Sequence, residues 1–220
     1  MDFIEPVHRM QLPREVLIGH GVLKRIDDLC RELGFRNSIL ILTGPHVYDL
    51  ITHHILQCLE RVGYTLTVYI VHESKFRYVK ETMDLIEKST PEALLGIGGG
   101  KVIDVGKLAA SNYGLPFISI PTAASHDGIS SPRANIKDFD KPISVETHAP
   151  LAILADLEII SQSRTEVNLE IRSPHPLAVK RYSELIIISV SATIAIGDSA
   201  ITEYGLFKPL TAATGLAIPS

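Results

Sequence analysis

From Val16 to about Ser163, short runs of continuous apolar residues alternate with longer stretches in which apolar residues recur every three to four positions. Continuous runs suit strands buried on both faces of a parallel sheet, and the 3.6-residue rhythm suits helices laid over that sheet. The pattern therefore predicts an α/β fold with a doubly wound parallel sheet. Val22, Leu23, Ile26, Leu29, Cys30 and Leu33 form one helical stripe that stops at Gly34, a residue free to take the left-handed turn that ends helices. Ser38–Leu42 reads as a buried strand. Thr43-Gly44-Pro45 breaks it, and one helix is expected to follow as far as Arg61, because Val47, Leu50, Ile51, Ile55, Cys58 and Leu59 share a face. His53 and His54 fall off that stripe. Adjacent helical residues diverge by about 100°, so this pair is read as surface rather than as metal ligands.

Thr65–Val71 reads as the next strand, followed by a helix carrying Val79, Met83 and Ile86. Leu94–Gly98 is a further strand that runs into a glycine cluster, and Val102, Ile103, Val105 and Leu108 then mark a helix. Phe117–Ile120 is another strand, Pro121–Pro132 a polar turn-rich loop, Arg133–Glu146 a hairpin and Leu151–Ala155 a last strand. Beyond Ser163 the rhythm is lost, and Leu185–Ile201 fits a strand or a buried helix equally. The pattern divides the chain into a domain at 1–163 and a segment at 164–220.

Composition narrows the class. Hydrophobic residues at 45% and charged residues at 21% exclude a disordered chain. The net charge of −4 is spread among interspersed acids and bases, with no basic run to follow a phosphate backbone, so nucleic acid is not an expected partner. Cys30 and Cys58 lack CxxC spacing and are read as core residues in a reducing compartment. MDFIEPVHRM opens without an apolar run, and the stretch 185–196 is shorter than the roughly 20 residues a membrane helix needs. A cytoplasmic protein without membrane insertion is expected.

The candidate chemistry lies at two strand ends. Gly96-Ile97-Gly98-Gly99-Gly100-Lys101 follows a strand and opens a helix, where unpaired amides and the helix dipole can receive a pyrophosphate. A tight turn is the competing reading, and Lys101 stands where the G-x-G-x-x-G fingerprint has its last glycine. Asp104, read as lying in the first helical turn, could cap that turn or hydrogen-bond a ribose or amide. In the loop, Thr122 and Ser125 offer hydroxyls and Asp127 can accept from substrate hydroxyls; local side-chain-to-backbone bonds are the alternative for each. His126 beside Asp127 is read as orienting its own loop rather than acting as a general base. No G-x-S-x-G motif supports hydrolase chemistry.

Together, GIGGGKVIDVGK, FISIPTAASHDGISSP, the hairpin with Lys141-Pro142 and LAILADLEII resemble the archaeal sn-glycerol-1-phosphate dehydrogenase family, which is similar to glycerol dehydrogenases, iron-dependent alcohol dehydrogenases and dehydroquinate synthases. The resemblance reaches about Ser163. It implies a dinucleotide-binding domain that takes NAD or NADP, and an oxidoreductase that reversibly reduces dihydroxyacetone phosphate to sn-glycerol 1-phosphate for archaeal membrane phospholipids. By the same resemblance Gly98, Gly99, Gly100, Lys101, Val102, Ile103, Asp104, Thr122, Ala123, Ala124, Ser125 and Ser131 would bind the cofactor, and Asp127 the substrate. Ala123 replaces a threonine common in the family. The family also implies zinc, held by an aspartate and two histidines of a helical second domain. Residues 164–220 depart from that pattern: Ser173-Pro174-His175-Pro176 stands where the aspartate is expected, so no metal ligand is assigned. An internal deletion, an altered reading frame and divergence all fit a truncated or altered segment there, and a nucleotide-binding remnant or a dehydroquinate synthase-like enzyme are the other functional readings. The sequence leaves NAD against NADP, and monomer against homo-oligomer, open.

Overall fold

The computed structural model describes residues 11–123, 129–138 and 141–162, apart from the side chains of Lys141 and Gln162. Segment 164–220, with His175, lies outside them, as do Ala124, Ser125, His126 and Asp127. Six strands form one parallel sheet: β1 (Glu15–Gly19), β2 (Ser38–Thr43), β3 (Thr65–Ile70), β4 (Ala93–Gly98), β5 (Phe117–Pro121) and β8 (Ala152–Asp156), in the order β1-β8-β5-β4-β2-β3. Between β5 and β8 the chain makes the expected hairpin, β6 (Arg133–Asp138) antiparallel to β7 (Lys141–Glu146).

The continuous apolar runs form strands because both faces of the sheet are covered. In β2, Ile39 and Ile41 enter one core cluster while Leu40 and Leu42 enter the other, and none is more than 1% exposed. On the first face lie α1 (Ile26–Glu32), through Ile26, Leu29 and Cys30, and α3 (His53–Arg61), through Ile55 and Leu59. On the second lie α4 (Phe76–Ser89), α5 (Gly100–Tyr113) and the inner residues Ala134 and Ile136 of β6. Fully burying each such Ile or Leu contributes about 1.5–3 kcal/mol, which ordering of the chain largely offsets.

Two expected helices are subdivided. The first stripe begins as a 3-10 turn, Val22–Arg25, before α1. The single helix expected up to Arg61 is instead α2 (Pro45–Val47), a π turn at Tyr48–Thr52 and then α3. The π turn brings the Thr52 hydroxyl within 2.9 Å of the Thr43 hydroxyl, a buried pair that fastens the helix to the end of β2. His53 and His54 are exposed, as their position off the stripe requires. After β8, the Asp156 carboxylate accepts the amides of Gly21, Leu23 and Glu158, joining the 3-10 turn to the start of α6 (Leu157–Gln162). Among the described residues no helix is long and apolar enough to cross a membrane.

The strand order places a switch point. From β2 the chain adds β3 on one side, then returns across β2 to lay β4 on its other side and β5 beyond. The ends of β2 and β4 are in register at Thr43 and Ile97, yet the helices that follow them leave to opposite faces. Such a divergence opens a crevice at the carboxyl edge, where open α/β sheets take their ligands.

Candidate functional site

The glycine turn lies at that crevice. Gly99 precedes α5 in extended backbone, and its carbonyl accepts the amides of Val102 (3.0 Å) and Ile103 (3.2 Å). The amides of Gly100 and Lys101 come before these bonds and meet no backbone acceptor among the described residues. The helix N-terminus thus presents donors together with the positive end of its dipole. The neighbouring glycines have different reasons to lack a side chain. A Cβ at Gly98 would meet Val102 at 2.8 Å, so packing of the helix on the strand excludes one. At Gly99 a Cβ would find nothing within 4 Å among the described residues, and its φ of −79° suits any residue. Neither the backbone nor the packing of the described residues demands a glycine there.

Lys101 is exposed beside the turn, whereas Val102 and Ile103 are buried at 4% and 1% exposure. Those two side chains belong to the core, so a ligand could reach these positions only through main-chain atoms. Asp104 requires a correction. Because α5 begins at Gly100, its first turn carries no acid, and Asp104 lies just beyond it, 2% exposed, on the inner face. Its Oδ1 stands 3.5 Å from the Nζ of Lys107, an i,i+3 pair in which the lysine side chain is wholly buried. Lys107 donates to the carbonyls of Ser131 (3.3 Å) and Arg133. Burial pulls its ammonium down to about 8, against the opposing pull of Asp104.

The loop after β5 starts at the same turn. The Thr122 amide donates to the Gly98 carbonyl at 3.0 Å, and Thr122 is 4% exposed. Ala123 and Ser131 are half-buried. Gly98, Gly99, Gly100, Lys101, Asp104, Thr122 and Ser131 are therefore tied to one corner of the sheet, while Ala124, Ser125 and Asp127 fall in the part of the loop that is not described. Lys107 was not singled out in the sequence. Its signal is the i,i+3 acid–base spacing with Asp104, on a helix whose neighbours are almost all apolar.

The profile of the iron-containing alcohol dehydrogenase family matches residues 17–163. The chain belongs to this family. Within it, the chain is 43% identical over 155 residues to a glycerol-1-phosphate dehydrogenase [NAD(P)+] of Methanobrevibacter smithii, covering 70% of this chain and 44% of that protein. It is 45% identical over 152 residues to the protein of that name from Methanosarcina acetivorans, covering 69% of this chain and 43% of the relative. The matched region thus spans less than half of either relative. A crystal structure of glycerol dehydrogenase from Schizosaccharomyces pombe shares the fold with a TM-score of 0.61 at 23% identity, over 73% of this chain and 41% of that one.

The iron-containing alcohol dehydrogenase family is metal-dependent by its name, which sets a test for the residues present. Among the described residues no three His, Cys, Asp or Glu side chains come together to hold a metal ion. The described residues alone therefore do not supply a metal's donor set. The glycine turn does fit a phosphate group: among the described residues the amides of Gly100 and Lys101 meet no backbone acceptor, and nothing stands within 4 Å of a Cβ placed on Gly99.

Proposed function

We propose that residues 1–163 form the dinucleotide-binding part of an NAD(P)-dependent glycerol-1-phosphate dehydrogenase, acting between dihydroxyacetone phosphate and sn-glycerol 1-phosphate in membrane phospholipid synthesis, in the cytoplasm. The observation that carries this reading is Gly99, a glycine at a helix start in the crevice that neither its backbone conformation nor packing among the described residues demands. Its missing side chain leaves room for a group from outside the chain, and the amides of Gly100 and Lys101 suit the diphosphate. Support for the substrate comes from the names of the relatives at 43% and 45% identity.

When bound, the nicotinamide supplies the hydride exchanged with the substrate carbon. The protein's part is to hold and orient. Gly99 and Gly100 admit the diphosphate to the helix start, and Lys101, exposed next to them, offsets its charge. Thr122 fixes the start of the next loop to Gly98, so that Ala123 and Ser131 flank the same crevice. At the end of β2, the strand next to the glycine turn, Thr43-Gly44 offers no acid to select a 2′-hydroxyl, which is consistent with acceptance of both NAD and NADP. Ala124 and Ser125 on the cofactor, and Asp127 on the substrate, complete the proposal on the strength of sequence resemblance.

The test is a titration of the purified chain with NADH and NADPH, read by nicotinamide fluorescence, alongside Gly99→Val. The variant is expected to weaken both cofactors by at least about tenfold, because its side chain fills the phosphate's place, while the melting temperature moves by no more than about 2 °C. Unchanged affinity removes the phosphate cradle. Dihydroxyacetone phosphate reduction with added zinc then separates two readings. Turnover that a chelator abolishes supports the dehydrogenase. Binding without turnover supports a nucleotide-binding module.

A further inference from the structure

We propose that Lys107 is a positioning residue that fixes Ser131 against the helix whose first turn receives the dinucleotide. The proposal rests on the cofactor reading above, in which Ser131 faces the cofactor. The segment between β5 and β6 is attached at its start to the glycine turn and at its return to α5, the helix that the turn opens. At its start the attachment is main chain, Thr122 amide to Gly98 carbonyl. At its return it is the Lys107 ammonium, which reaches from the second turn of α5 to the carbonyls of Ser131 and Arg133 and is itself flanked by Asp104.

Stability alone does not account for such a group. A wholly buried lysine beside a carboxylate costs several kcal/mol of desolvation, and apolar residues of like volume are often as stable. What an apolar side chain cannot supply is direction. An ammonium takes acceptors at set angles, and here two come from residues 131 and 133, on the same side of a chain entering a strand. Removing that donor frees the return of the loop to slide along α5, and displacement of a ligand-facing residue by about 1 Å is enough to cost binding or rate.

Lys107→Met alone removes the ammonium beside the buried Asp104 carboxylate and risks unfolding, so the variant to read is Asp104→Asn/Lys107→Met, with Asp104→Asn as its reference. Two quantities are measured, amide hydrogen exchange by mass spectrometry and NADH affinity. Relative to the reference, the double variant is expected to exchange about tenfold faster across 129–138 while 93–98 in the central strand stays protected, and to bind NADH about tenfold more weakly. Equal exchange in 129–138 overturns the proposal, and so does a uniform rise across the sheet, which marks a merely structural role. If the parent chain fails to bind NADH, the cofactor reading falls, while a rise confined to 129–138 in the same samples still supports the Lys107 attachment.

Discussion

Lys107 also gives the chain a pH signature that can be signed in advance. Desolvation lowers its ammonium from the ordinary 10.5 to about 8, with Asp104 acting the other way. Below about 8 both the native and the unfolded chain hold the proton, and above about 10.5 neither does. Between these limits the unfolded chain binds a proton that the native chain has released, so this group makes stability rise with pH. The Cys30 thiol, pushed up to about 12 by burial and by Asp27, works in the opposite direction from about 9 upward, since the unfolded thiol ionises first. The difference between parent and Asp104→Asn/Lys107→Met isolates the lysine. From pH 8 to pH 10 the parent is expected to gain on the order of 2 kcal/mol relative to the variant, read by urea denaturation at each pH. A parallel pH course in the two proteins would show that the lysine is not desolvated.

At the scale of elements, the closeness of α5 to the sheet decides how the turn is held. A Cβ at Gly106 would stand 2.6 Å from the Phe117 ring and 3.2 Å from Leu94, and one at Gly96 would stand 2.7 Å from the same ring. Phe117 is 4% exposed and fills the space that two glycines, one on the helix and one on β4, leave open. Gly106→Ala is therefore expected to cost about 1–3 kcal/mol, through displacement of the ring or the helix, although alanine is the better helix former. A urea denaturation midpoint at or above that of the parent would contradict this packing.

The same closeness explains what the sequence revealed and what it hid. Strands β2, β4 and β5 were legible because each is a short apolar run buried on both sides, and the hairpin's first strand because Ala134 and Ile136 alternate with polar residues. Helix α5 was legible as a helix, but not in its contacts. Every residue from Val102 to Ala110 is buried, Asp104 and Lys107 included, because the hairpin covers the face that these two occupy, and the apolar stripe of Val102, Ile103, Val105 and Leu108 carries no trace of that cover. The segment after β2 was misread as one helix because an apolar stripe tolerates a π turn, while the Thr43–Thr52 hydroxyl contact that accompanies that turn leaves no periodic trace. In the site, the glycine turn could be read because glycine is chemically distinctive. The hold of Lys107 on Ser131 joins residues 24 positions apart, and required the fold.

For the whole molecule, the place of β8 sets where an independently folding unit can end. It pairs with β1, Glu15 against Ala152 through Gly19 against Asp156, and with β5 at Ile118 and Ser119. The first strand of the sheet is thus attached to the rest through its last strand, and cannot be added until residue 156 is in place. Its far end is fastened in the same way, since Asp156 holds the amides of Gly21 and Leu23. Among the described residues the three core clusters run from Leu17 to Ile160. A chain stopped after Ser163 is accordingly expected to melt cooperatively within about 3 °C of the 220-residue chain, a shift worth roughly 1 kcal/mol at this size, and to keep its NADH affinity. A chain stopped after Glu146 lacks β8, leaving β1 without a partner and the outer side of β5 open, and is expected to show no cooperative transition. Circular dichroism melts of the two shortened chains decide the matter. A chain of 1–163 that fails to melt cooperatively would place part of the core in 164–220 and move the domain boundary with it.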